Sequence, residues 1–166
     1  MLISSYSKRI VDSTPPLDLE KALTPLLKAR GMVEELLPAQ AALRSLGLLR
    51  ANCTIGVGGQ SASMEHLRRY YRHLVSFEEF EGPLHVLAES GATFCWSDTM
   101  QVGEPGIPSG SIQYEKCCVL YQMMSSEGHA CFRPFPGERK EQLRDKALTC
   151  RRAWGINVFL MNEVRK

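Results

Sequence analysis

No Lys or Arg occurs between Arg72 and Lys116, and none of the six cysteines stands in a C-x-x-C pair. The sequence also lacks any apolar stretch near the roughly 20 residues that a membrane span requires. Its opening, Met1-Leu2-Ile3-Ser4-Ser5-Tyr6, is too brief for the apolar core of a secretory signal. An excess of one charge sign is missing too: 20 Lys and Arg face 18 Asp and Glu, and a net charge of +2 supplies no global field to draw the chain to nucleic acid or lipid. These absences remove the transmembrane, disulfide-scaffold and polycationic classes.

What is present is ordinary globular material. With 44% hydrophobic and 23% charged residues, the composition excludes disorder, collagen and coiled coil. The 166 residues suffice for a single domain over 1–166, with no internal linker and no need of a disulfide, metal or other cofactor. The cysteines at 53, 95, 117, 118, 131 and 150 lie mostly in apolar runs, where a free thiol behaves as a small hydrophobe. Reduced thiols and a cytoplasmic location are the expectation.

Residues 1–16 open with Leu2-Ile3 and Ile10-Val11 and close on Ser13-Thr14-Pro15-Pro16, which predicts a short extended segment, a strand, ended by a stiff turn. Leu19, Leu23, Leu26 and Leu27 fall at helical spacing behind the potential cap Asp18, with Pro25 expected to kink or delay the helix. A second Leu-rich helix carries Leu36 to Leu49, with Pro38 near its start. Thr54 to Ser63 reads as a Gly-rich loop whose serines cap a helix over Met64 to Phe80. That helix is expected to turn Met64, Leu67, Tyr71 and Leu74 inward and Arg68, Arg69 and Arg72 outward. Leu84–Leu87 and Ala92–Trp96 read as paired strands about Gly91, and Gly103 to Gly110 as a break in regular structure. Tyr114, Cys117, Cys118, Tyr121 and Met124 mark the core stripe of a buried helix. A last helix from Glu138 carries the apolar row Leu143, Ala147, Cys150, Trp154, Val158 and Met161 opposite a basic face.

Few constellations carry chemistry. Gly56-Val57-Gly58-Gly59-Gln60-Ser61 matches neither a Walker loop nor a dinucleotide turn. His129 and Cys131 with Cys117-Cys118 would strain a shared tetrahedral zinc site. The basic faces at Arg68, Arg69 and Arg72 and at Arg139, Lys140, Arg144 and Arg151 could hold phosphates or acidic partner helices, or simply be solvated. A small cytosolic thiol enzyme using Cys131 or Cys95 is the alternative reading from a different class, and it requires an exposed thiol of lowered pKa.

Three ordered segments carry more: Leu67-Arg68-Arg69-Tyr70-Tyr71, Phe94-Cys95-Trp96-Ser97-Asp98, and Tyr114-Glu115-Lys116-Cys117-Cys118-Val119-Leu120-Tyr121. Together they resemble the N-terminal half of a Bro1 domain. That resemblance implies a mainly α, solenoid-like fold with a small N-terminal sheet of two or three strands. In it, Tyr70, Tyr71, Phe94, Trp96, Asp98, Tyr114, Glu115 and Lys116 are structural motif residues. A strand at Phe94–Trp96 is expected to pair with one near Leu2–Tyr6, above a helix through Tyr114–Met124. The function implied is non-catalytic: an adaptor of endosomal sorting that binds the C-terminal amphipathic helix of a Snf7-type ESCRT-III subunit, with peripheral association with the endosomal membrane. Leu143, Arg144 and Ala147 are the residues expected near that partner helix, with Arg144 as its basic contact. A Bro1 domain is longer than this chain, so helices following residue 166 are expected to cover one side of Trp154, Val158, Phe159 and Met161.

Overall fold

A computed structural model of the chain describes residues 10–11, 17–54, 63–82, 85–98, 107–132 and 140–164. Nine elements follow in order among them: β1 (Ile10–Val11), α1 (Leu19–Ala29), α2 (Leu36–Thr54), α3 (Met64–Glu81), α4 (Val86–Ser90), β2 (Phe94–Asp98), β3 (Ile107–Ser109), α5 (Ile112–Phe132) and α6 (Lys140–Val164). The architecture is mainly helical with a small antiparallel sheet, as the sequence implies.

The first helices form for reasons that are local. Asp18 Oδ1 accepts from the Lys21 N–H at 2.9 Å and satisfies one free donor of the first turn of α1. Leu19, Leu23 and Leu27 then fall on one buried stripe. Pro25 lies inside α1 without ending it; it sits on the exposed side, where water can reach the Lys21 carbonyl that the proline leaves without a backbone donor. Ser63 caps α3 in the same way, accepting from the His66 N–H at 3.2 Å. On α3 it is Tyr70 that is fully buried, with Leu67, Leu74 and Phe77, while Tyr71 is only half-buried. The inward stripe therefore keeps Leu67 and Leu74 as expected and takes Tyr70 in place of Tyr71.

Strand β2 lies at the centre of the sheet, with one strand on each side. Strand β2 pairs with β1 through Ile10↔Asp98 and Val11↔Ser97, and with β3 through Phe94↔Ser109, Cys95↔Pro108 and Trp96↔Ile107. Leu2–Tyr6, the expected partner, lies outside the described residues. Strand β3 comes from the stretch read as a break. Pro108 has no N–H to donate, but it sits on an edge strand, where that loss is tolerated.

Within the expected strand at Leu84–Leu87, Val86 and Leu87 instead open the short helix α4, and Leu84 lies outside the described residues. Val86 and Leu87 are buried, and a short apolar run of this kind does not distinguish strand from helix. Local chemistry decides: Glu81 Oε1 accepts the Leu87 N–H at 3.1 Å, and the Ser90 hydroxyl donates to the Leu87 carbonyl at 2.7 Å. Gly91, at φ 66°, ends the helix in a left-handed conformation that few other residues adopt cheaply.

One apolar cluster unites α1 to α5 with β2, around Leu23, Leu27, Leu67, Leu74, Phe94 and Val119. Polar ties reinforce it at the rim. Arg44 on α2 makes a two-pronged contact with Glu20 on α1 at 2.8 and 2.6 Å, and Arg30 meets Glu89 on α4 at 2.5 Å. Helix α6 lies along α5 and contributes the half-buried Ile156 to the core margin. No helix among the described residues is long and apolar enough to cross a membrane.

Candidate functional site

The most unusual chemistry in the fold is a buried carboxylate. Glu115, in the first turn of α5, is 0% exposed, and Arg50, on the inner side of α2, is 2% exposed. The Arg50 Nε donates to Glu115 Oε1 at 3.0 Å, and the Tyr70 hydroxyl from α3 donates to the same oxygen at 2.8 Å. The Trp96 indole N–H from β2 donates to Oε2. One side chain thus joins α5 to α2, α3 and the sheet.

The alternation of strand β2 explains the Phe-x-Trp spacing. Residues i and i+2 share a strand face, and the Arg50 guanidinium lies 5.6 Å from the Phe94 ring centroid and 5.8 Å from that of Trp96. Both aromatic faces stabilise the cation where water is excluded. Burial pushes the Glu115 carboxyl up from its ordinary value, while Arg50 and the Trp96 and Tyr70 donors pull it back. Burial, with the Glu115 charge beside it, raises Tyr70 well above the usual phenol range.

Lys116 extends the tie outward, donating to Glu78 on α3 at 2.8 Å. Further along α5, Gln122 Nε2 donates to the Cys53 carbonyl at 3.3 Å, and Glu127 meets Arg68 at 3.3 Å. The expected core stripe of α5 is met only at Cys118, which is buried. Tyr121 is 40% exposed and Tyr114, Cys117 and Met124 are half-buried, while the inner side centres on Glu115, Val119 and Gln122. Helix α5 is buried over most of its circumference, and several of its innermost positions are polar because partners on α2, α3 and β2 await them.

The structure thus gathers Tyr70, Phe94, Trp96 and Glu115 at one centre and sets Lys116 beside it. Tyr71 and Tyr114 lie half-buried at the core margin, and Asp98 is the β2 residue opposite Ile10. Arg50 is the residue that sequence reasoning missed. Its signal was present, since it follows Leu43, Leu46 and Leu49 and precedes Cys53 on the apolar side of α2, where a charge demands a buried partner.

The residues expected near a partner lie elsewhere, on α6. Arg144 and Ala147 are exposed, and the side chain of Leu143 lies outside the described residues. The apolar row and the basic face do not oppose one another as expected. Positions 144, 147, 151, 154 and 158 follow one helical stripe, so Arg144, Ala147, Arg151, Trp154 and Val158 share a single exposed side, with Leu148 beside them. Trp154 is 68% exposed.

The thiol chemistry of the alternative reading finds no support in this geometry. Cys53, Cys95 and Cys118 are buried, and burial pushes the thiols of Cys53 and Cys118 up to about 12. Cys150 is free and exposed, and the side chains of His129 and Cys131 lie outside the described residues.

Two outcomes are expected. Arg50→Met or Glu115→Leu alone strands a buried charge and should cost about 3–5 kcal/mol in urea unfolding. The double variant should cost less than the sum of the two, by about 1–3 kcal/mol; strictly additive losses would contradict the coupling. Second, iodoacetamide at pH 8 followed by peptide mapping should modify Cys150 in the native protein, and Cys53 and Cys118 only after unfolding. Because those two thiols titrate near 9.0 when unfolded and near 12 when folded, their contribution to stability is intact below pH 9 and is lost as pH rises toward about 12.

Comparison with known proteins places this arrangement. No curated protein and no solved structure matches the chain. The BRO1-like domain family matches residues 11–159, a span that runs from Val11 of β1 through the Arg50–Glu115 centre to most of α6. The chain belongs to the BRO1-like domain family, a family of non-enzymatic protein-interaction adaptors.

Proposed function

We propose that the chain is an adaptor of endosomal sorting that uses the exposed side of α6 to seat the C-terminal amphipathic helix of a Snf7-type ESCRT-III subunit. The observation that carries this reading is the stripe on α6 where Ala147, Trp154 and Val158 alternate with Arg144 and Arg151. An amphipathic helix laid along it places its apolar anchors over Trp154 and Val158 and its acidic flank against the arginines. Such a surface binds and aligns. A solvent-facing helix stripe of this kind suits a role in assembly at the endosomal membrane as a peripheral protein.

The interior supports the same reading. Because Glu115 and Arg50 lock α5 to the body of the domain, and α6 lies along α5, the binding stripe is displayed on a rigid backing. Rigidity lowers the ordering cost of association.

The test is fluorescence polarisation with a labelled peptide of the Snf7-type C-terminal helix. Trp154→Ala should weaken binding about 30-fold, the loss expected for a central aromatic anchor. Arg144→Glu should weaken it about tenfold and make the residual binding less sensitive to salt. An affinity left unchanged by both substitutions would contradict the assignment of this face.

A further inference from the structure

A cleft of about 250 Å³ opens between α2 and α3, on helices that the α6 reading does not use. Its walls are matched stripes. Ala39, Ala42 and Leu46 of α2 face Ser76, Phe77 and Phe80 of α3, each set drawn from positions spaced i, i+3, i+4 and i+7. Each wall is therefore about two turns, or roughly 10 Å, long. Leu46 and Phe77 are buried and form the floor, with Phe77 stacked on Phe80 at a centroid distance of 6.4 Å. The cleft exists because Ala39, Ala42 and Ser76 are too small to fill the space between the helices above that floor.

The charge around the cleft is polarised. His73 and Ser76 also belong to an adjoining open depression bordered by Arg69 and Arg72. Among the described residues neither arginine meets a carboxylate: Arg72 Nε reaches only the Arg68 carbonyl at 3.4 Å, whereas the neighbouring Arg68 is paired with Glu127. At the Ala39–Phe80 end the charges reverse, since the exposed Glu35 precedes Ala39 by one turn and the exposed Glu79 adjoins Phe80. An apolar slot thus lies between a cationic end and an acidic end.

We propose that this cleft is a second docking site, for a short amphipathic segment of a partner protein. The segment inserts one or two bulky apolar side chains between Ala42 and Phe80 and sets carboxylates against Arg69 and Arg72. Charge complementarity selects this occupant. The α6 side of a second copy would bring Arg144 and Arg151 toward Arg69 and Arg72, a like-charge contact. A lipid supplies an anionic head for the arginines but no cation for the Glu35 and Glu79 end. A peptide carries both signs along its length.

The test selects a phage-displayed library of random twelve-residue peptides on the full chain and then measures the enriched peptides by polarisation. Bound sequences should carry an aromatic or Leu residue with Asp or Glu on one side. Ala42→Phe, which fills the slot from its exposed lip, and the pair Arg69→Glu/Arg72→Glu should each weaken them at least tenfold, with far-UV circular dichroism and the urea midpoint unchanged. Trp154→Ala should leave them unaffected, so failure here and failure of the α6 assignment are separable. Selection of no binder, or of binders indifferent to both changes in the cleft, would overturn the proposal. So would co-sedimentation with phosphatidylserine vesicles that depends on Arg69 and Arg72 in the absence of any cleft-dependent peptide.

Discussion

The Glu115 carboxylate is the contact on which the rest of this structure depends. Placing a charge where no water reaches it is expensive, and a lone carboxylate there would take up a proton or unfold its surroundings. Here Arg50, Tyr70 and the Trp96 indole are all directed at its two oxygens, and they come from three elements far apart in sequence. The arrangement therefore acts as a constraint on register. If β2 slipped by one residue, Trp96 would turn to the other face and both Glu115 and Arg50 would lose a partner. If α3 rotated by one position, Tyr71 would replace Tyr70. A buried polar network of this kind specifies one packing among the many that a leucine-rich core would accept.

That constraint passes along α5 to the surface. Lys116, Gln122 and Glu127 each find a partner on α2 or α3, so α5 is held along its length by polar contacts as well as by Val119, Leu120 and Met123. Helix α6 rests on this spine, and its outward stripe of arginines and apolar side chains inherits the spine's position. In the proposed reading the interior chemistry and the external surface divide the labour: the charged centre fixes geometry, and α6 presents it. For an adaptor family this division is physically sensible, because affinity depends on how little must be ordered when the partner arrives.

Much of the fold was legible because its causes are local. Asp18 and Ser63 mark helix starts through hydrogen bonds within three residues, and the Leu19–Leu23–Leu27 spacing reads as a helix without knowledge of anything else. The Phe94-x-Trp96 and Tyr114-Glu115-Lys116 segments were recognisable as motifs, but not what they do, since Glu115 acquires its meaning only from residues 19, 45 and 65 positions away. Arg50 left a signal in its place on the apolar side of α2, but its partner was illegible for the same reason. On α5 the rule that buried means apolar pointed to Tyr114, Cys117, Cys118, Tyr121 and Met124 and held only at Cys118, because several of the innermost positions are paired polar groups. Strand β3 was hidden behind Pro108, whose missing N–H matters only once the strand is known to be an edge. On α6 the apolar row was visible, and the 3- and 4-residue spacing already puts Arg144 and Arg151 on the side of Ala147, Trp154 and Val158; only the exposure of that side follows from where α5 lies.

The two tryptophans offer a direct test within one molecule. The Trp96 indole N–H is committed to a carboxylate in the closed centre, while Trp154 stands on the open side of α6. Hydrogen exchange of the two indole protons, followed by two-dimensional NMR after transfer to deuterated water, reads the centre without altering it. The account predicts that the Trp154 indole proton exchanges at once, while that of Trp96 persists and is lost only at the rate set by global unfolding. Rapid loss of the Trp96 proton under conditions where the core amides of α3 and α5 remain protected would show that the centre opens independently, and Glu115 would then not be the tie that holds the domain together.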